Sequence, residues 1–304
     1  MNEYMYNLDE IIKDGYNLDW IIKNSFKDTI EYLNNNGIKT ERLQLIIAKP
    51  PYLFFSRLLA LLISLTLIYG FSFYEIISNV TYPTSLKTFS LSFSISTLPI
   101  ASYYKKLIDQ TSIGFYSPIT REVYIKEKAL RKNIDKILNN LSFMKIIRPS
   151  IIGLESDISI LTYPVYINGN NIKKDIAKAF IDIIVGHEIA HSLPYMDEWE
   201  SFLIKEWKAS ALEFLIYFYK NAYDRYPEAY KIIEGNIRIC KDYVKNENPL
   251  NIEEDYDLGR CYANIIIDKN KRSSKINIKD LIEEIKYLSD EKNVINIIKS
   301  YNIN

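Results

Sequence analysis

Histidine is scarce in this chain. Only His187 and His191 occur in 304 residues. A site built on three histidines is therefore excluded, and with it an HExxHxxGxxH arrangement, whose glycine position is occupied by Pro194. Cysteine is as sparse. Cys240 and Cys261 fit no CxxC metal or redox spacing, and a disulfide between them is allowed but not demanded by the sequence. Net charge is also absent: 38 basic side chains balance 38 acidic ones. The chain lacks the basic footprint of a nucleic-acid binder, so no nucleic-acid partner is expected. The opening MNEYMYNLDEIIKDGYNLDW is acidic, without the positive stretch that starts a secretory signal. No internal repeat and no long low-complexity tract is evident.

Apolar residues make up 48% of the chain, enough for a sizeable core. The length suits one large domain or two modest ones. Residues 1–50 read as an N-terminal helical region, with Leu8, Ile11, Ile12, Ile21, Ile22, Phe26 and Ile30 at roughly helical spacing. Lys49-Pro50-Pro51 interrupts that pattern.

Residues 51–104 form a hydrophobic segment unlike the rest. Phe54–Tyr74 is almost entirely apolar, and from Leu58 to Tyr74 it carries no charge. A membrane-spanning helix needs about 17–25 such residues, and Arg57 at the edge can snorkel. A buried helix at the centre of a soluble domain is the alternative. A second uncharged stretch, Thr88–Tyr104, alternates Phe89, Leu91, Phe93 and Ile95 with serines. That is a strand signature, but the stretch could also return across a bilayer as a helix. Lys49, Arg57, Lys105 and Lys106 flank the pair on its outer sides. A membrane hairpin with both chain ends in the cytoplasm is the reading adopted. A soluble cytoplasmic protein is the alternative.

From residue 105 to 304 the chain reads as an α+β, mostly helical domain. GFYSPITREVYI suggests an antiparallel hairpin about a Ser-Pro turn. Residues 126–146 read as a helix, and DISILTYPVYINGN as a strand closed by an Asn-Gly turn. Residues 171–193 and 198–222 read as helices, followed by a helical C-terminal extension with breaks near Pro249 and at DKNKRSSK.

The stretch IVGHEIAHSLP concentrates the chemistry. On a helix, positions i and i+4 share a face, so His187 and His191 present two imidazoles to one point. Glu188, about 100° round the helix, reaches a metal-bound water without being a ligand. This is the mechanical content of HExxH. Zinc coordinated this way needs a third protein ligand and keeps a position for water. With no further histidine, that ligand must be a carboxylate or cysteine, and the next helix offers Asp197, Glu198, Glu200, Glu206 and Glu213.

Here the chain resembles the gluzincin metallopeptidases, in which a glutamate of a following helix completes the site within an ExxA or ExxAD context. Glu206-Trp207-Lys208-Ala209-Ser210 matches ExxA, while Ser210 departs from the Asp. The short spacing from His191 is similar to the small ImmA/IrrE-type members. The ExxAD form is that of membrane-bound, HtpX-like peptidases. The resemblance covers about residues 110–220. It implies a zincin-like domain with a small antiparallel sheet beside the HExxH helix, and Zn2+ held by His187, His191 and Glu206, with Glu213 as the rival third ligand. It further implies Glu188 as general base and a peptide or protein substrate able to add to the sheet edge. An oxyanion donor is then needed, and Tyr195 is nearest in sequence. The competing expectation is a non-catalytic, membrane-anchored helical interaction protein with a structural zinc site or none. In it, Leu215–Asn304 would supply the binding surface.

Overall fold

The computed structural model describes residues 17–40, 42–48, 112–118, 120–141, 151–153, 162–165, 172–194, 196, 200–224, 227–245, 252–271, 276–286 and 291–303. The hydrophobic segment, its Phe54–Tyr74 run and Tyr195 lie outside the described residues. Among the described residues no helix is long and apolar enough to cross a membrane.

The protein is mostly helical, with a small mixed sheet. Helix α1 (Leu18–Asn35) is capped by Asn17, whose side chain accepts from the Asp19 amide. It buries Leu18, Ile22 and Leu33, a stripe at helical spacing. Strands β1 (Gln44–Ala48), β2 (Gly114–Ser117) and β3 (Glu122–Lys126) form one sheet in the order β1-β3-β2. The expected hairpin is present, since β2 and β3 pair antiparallel. Two expectations are corrected. Residues 44–48 are a strand, not part of a helical region. That strand lies parallel to β3, so the sheet is mixed rather than antiparallel. QLIIA is a short apolar run whose partner lies far along the chain, and periodicity cannot tell such a strand from a helix segment.

Helix α2 (Glu127–Leu141) follows β3 directly. A second, two-stranded sheet joins β4 (Ile151–Gly153) to β5 (Thr162–Pro164). Helix α3 (Ile172–Ala190) carries His187 and Glu188, and His191 follows its last residue, its amide donating to the His187 carbonyl. Helix α4 (Phe202–Tyr217) begins at Ser201, whose hydroxyl accepts from the Ile204 amide, and a π-helical turn, Phe218–Ala222, extends it. Helices α5 (Ala229–Lys245), α6 (Ile252–Asn270), α7 (Ile278–Lys286) and α8 (Glu291–Ser300) complete the chain.

Helix α4 is the axis of the packing. Every residue from Glu206 to Tyr217 is buried, the charged Glu206, Lys208 and Glu213 included, so the helix is enclosed by neighbours on all sides. Helix α3 covers one flank and α6 another. The approach of α6 depends on Gly259: a Cβ there would sit 1.9 Å from the Trp207 carbonyl oxygen. Cys240 of α5 and Cys261 of α6 form a disulfide with both residues buried, Cα atoms 5.9 Å apart. Helix α1 packs on α3. The Ser25 hydroxyl donates to Asp182 (2.5 Å), and Lys220 of the π turn reaches both Asp182 (3.5 Å) and the Thr29 hydroxyl (2.9 Å). These buried polar contacts tie the N-terminal helix to the helix that bears the histidines.

Candidate metal centre

The last turns of α3 place His187 and His191 on one face, with ring centroids 4.8 Å apart and rings nearly perpendicular. Their Nε2 atoms are 3.2 Å apart. Helix α4 brings Glu206 to the same point, with one carboxylate oxygen 3.2 Å from His187 Nε2 and the other 3.5 Å from His191 Nε2. One donor atom from each of the three residues falls within 4.8 Å of the others. Two imidazole nitrogens and a carboxylate converging at this scale are the donor set that zinc takes in open sites. The residues present therefore fit the ion implied by the sequence.

Glu213 does not join the three-donor cluster. It lies on the far side of His187, 2.6 Å from Nδ1, while Glu206 faces Nε2. The Nδ1–H of His187 donates to the Glu213 carboxylate, which aims Nε2 into the cluster. Such a partner fixes both tautomer and ring orientation in metal sites. Glu213 is itself held: Tyr163 of β5 donates to Oε1 at 2.6 Å, and Arg260 of α6 donates to the same oxygen at 3.1 Å. Arg260 also reaches Asp257 at 3.4 Å, and its guanidinium stacks over the Tyr163 ring, 5.6 Å from the centroid. Ser210, which stands where an ExxAD site has its Asp, is fully buried with no hydrogen-bond partner for its hydroxyl. The carboxylate that holds His187 is instead Glu213, about one turn further along α4.

The electrostatics follow from this packing. Burial alone would raise the carboxyl of Glu206, but hydrogen bonds from both histidines hold it far below the usual carboxylate range. Burial would likewise raise Glu213, and the Arg260 charge, with the His187 hydrogen bond, lowers it instead. Burial opposes a charge on His187, yet hydrogen bonds and charges of Glu206 and Glu213 more than reverse that and favour the imidazolium. Two buried carboxylates thus surround a position that a cation satisfies, whether a proton on His187 or a metal between the three donors.

Glu188 is buried beside β2. A Cβ on Gly114 would meet Glu188 Cγ and Oε1, and the Tyr124 carbonyl oxygen, each at 2.9 Å. Gly114 is what lets the strand approach the glutamate so closely. The sheet therefore lies beside the HEIAH helix, as expected.

Tyr256, Arg260 and Tyr163 were not singled out in the sequence. Tyr256 of α6 stands over His187, centroids 5.5 Å apart, close enough to Glu206 to feel its charge. Burial first, and then the charge of Glu206, pushes its phenol upward, so it remains a proton donor. The one hint in the sequence is Tyr256-x-x-Gly259-Arg260, a tyrosine and an arginine on one helix face next to a glycine. The C-terminal helices, offered earlier as a separate binding surface, supply part of this centre. Comparison with known protein families, with curated proteins and with solved structures finds no match for the chain.

Proposed function

We propose that this chain is a zinc-dependent metallopeptidase with a zincin-like catalytic domain. The observation that carries the reading is the convergence of His187 Nε2, His191 Nε2 and a Glu206 oxygen from two helices, with Glu188 next in sequence to the first ligand. Among the described residues three such donors converge, the number of protein ligands usual in catalytic zinc sites.

A zinc ion bound there supplies a Lewis acid for a carbonyl and makes a water acidic. His187, His191 and Glu206 would hold it. Glu213 keeps the His187 proton on Nδ1 and the ring aimed. Glu188 takes the proton of the attacking water on its carboxylate and passes it to the departing amine. The Tyr256 hydroxyl, already among these groups, donates to the carbonyl oxygen as negative charge builds on it. In the order β1-β3-β2, the outer edge of β2 has no partner strand among the described residues. It offers backbone groups to an extended peptide beside Glu188.

The test is metal content by elemental analysis, on wild type and on Glu206→Ala purified without chelator, followed by a peptidase assay with Glu188→Gln. About one zinc per chain in wild type, weakened in Glu206→Ala, is expected. Glu188→Gln should hold zinc without turnover. A wild type that takes no zinc on reconstitution, or an active Glu188→Gln, overturns the reading.

A further inference from the structure

Four large apolar side chains are exposed among the described residues: Trp20, Phe202, Leu203 and Ile239. Trp20 on α1 and Ile239 on α5 each occur singly on their helix, which is ordinary for a protein surface. Phe202 and Leu203 are adjacent, 56% and 43% exposed, in the first turn of α4. That turn is seated. The Ser201 hydroxyl accepts from the Ile204 amide (3.3 Å), the Ser201 carbonyl accepts from the Lys205 amide (3.1 Å), and Ile204 packs on the core. The two exposed side chains are therefore presented by a fixed helix end.

Their position on α4 ties them to the candidate centre. Phe202 and Glu206 are four residues apart, so they share a face, with about 6 Å between them along the axis. Leu203, three residues before Glu206, flanks the same face. Side chains on a helix lean toward its N-terminus. The Glu206 carboxylate, 3.2 Å from His187 Nε2 and 3.5 Å from His191 Nε2, therefore lies over the turn that bears the exposed pair.

We propose, on the peptidase reading, that Phe202 and Leu203 form the apolar wall of a subsite that takes an aliphatic or aromatic side chain of the substrate. An extended peptide advances about 3.3 Å per residue. With its scissile carbonyl at the centre, a side chain one or two residues from that bond comes level with Phe202. Backbone pairing along the β2 edge gives affinity without choosing among side chains, and the choice comes from what those side chains meet. Phenylalanine and leucine side chains offer no polar atom to a charged or hydroxylated partner. They leave water only against an apolar one. The substrates selected are peptides with an apolar residue close to the cleaved bond.

The test uses the full chain loaded with zinc and three hydroxamates that share one metal-binding group. Acetohydroxamate has only a methyl group, 3-phenylpropanohydroxamate an apolar arm, and 5-aminopentanohydroxamate a charged arm of similar reach. Affinities are measured by calorimetry on wild type, on Phe202→Ser with Leu203→Ser, and on Ile239→Ser as the control. Wild type should bind the phenyl compound at least about tenfold more tightly than the other two, the lower end of what one methylene is worth in an apolar pocket. The double variant should lose that preference while its zinc content and acetohydroxamate affinity stay at wild-type values. Ile239→Ser should keep the preference. Bound zinc without an apolar preference in wild type overturns the subsite and leaves the metal centre standing, as does a preference that survives in the double variant. An equal loss of affinity for all three compounds in the double variant assigns the pair to the support of α4 and also overturns it. So does a wild type that sediments as a dimer when the double variant is a monomer, which makes the pair a self-interface. A wild type that takes up no zinc overturns the peptidase reading and the subsite with it, so the two failures are distinguishable.

Discussion

Glu213 and His187 are joined by a short hydrogen bond, 2.6 Å from carboxylate to Nδ1. Glu213 lies two turns beyond Glu206 on α4, yet the two carboxylates grip opposite nitrogens of one imidazole. In the proposed zinc centre Glu206 binds the ion, and Glu213 aims the ring that binds it. Glu213→Gln keeps the shape and removes the charge. Zinc affinity, measured by chelator competition, should fall by about 10–100-fold, the usual effect of losing such a partner. Glu213→Ala additionally strips Arg260 of its nearest carboxylate. It should cost about 3–5 kcal/mol in chemical denaturation, the cost of breaking a buried ion pair. Unchanged zinc affinity in Glu213→Gln would leave it a packing residue.

Tyr256→Phe keeps the ring against His187 and removes only the hydroxyl. If that hydroxyl serves the developing oxyanion, kcat should drop by about 10²–10³-fold, with KM and zinc content little altered. Steady-state kinetics on a peptide, beside zinc analysis, separate this from a role in holding Glu206. In that case zinc affinity would fall and kcat at saturating zinc would not.

Gly114→Ala pushes a methyl group toward both Glu188 and the Tyr124 carbonyl. The backbone oxygen belongs to the paired strand and gives way least, so Glu188 is displaced. A misplacement of about 1 Å at a reacting group costs roughly 100-fold in rate. Activity should fall by that order while zinc content stays at the wild-type level.

Gly259→Ala tests the seating of α6 on α4, because the added carbon overlaps the Trp207 carbonyl. Overpacking of this kind costs about 1–3 kcal/mol or more. A drop in Tm of several degrees is expected on thermal denaturation. Because α6 carries Tyr256 and Arg260, activity should fall with it. A wild-type Tm would mean that the helices separate without penalty.

Cys240→Ser with Cys261→Ser removes the link between α5 and α6, whose ends are 21 positions apart. Closing a loop of that size is worth about 3 kcal/mol in the chain-entropy account. The double variant should unfold at lower urea with a similar m-value. Wild type unfolded under reducing conditions should match it.

How much of this was legible in the sequence varies with the range of the contacts involved. His187, Glu188 and His191 were readable because a helical turn fixes their geometry within five residues. Glu206 was readable in part, through the ExxA context on the next helix. The hairpin Gly114–Lys126 was readable from its turn and its apolar flanks. Strand β1 was not. Gln44–Ala48 is made by pairing with β3, and nothing local in five residues reports a parallel partner that distant.

The choice between Glu206 and Glu213 is instructive. Both sit on nearly one face of α4, and periodicity could not separate them. The packing of α3 on α4 separates them by setting His187 between the two, Nε2 to Glu206 and Nδ1 to Glu213. Tyr163 comes from one distant stretch and Tyr256 and Arg260 from another, and they meet only when β5 and α6 pack around α4. The sequence by itself determined which side chains share a helix face, because the 3.6-residue repeat is a local property of the backbone. Only the tertiary structure decided which faces meet. That depends on packing between helices, on the clearance left at Gly114 and Gly259, and on the pairing of buried charges.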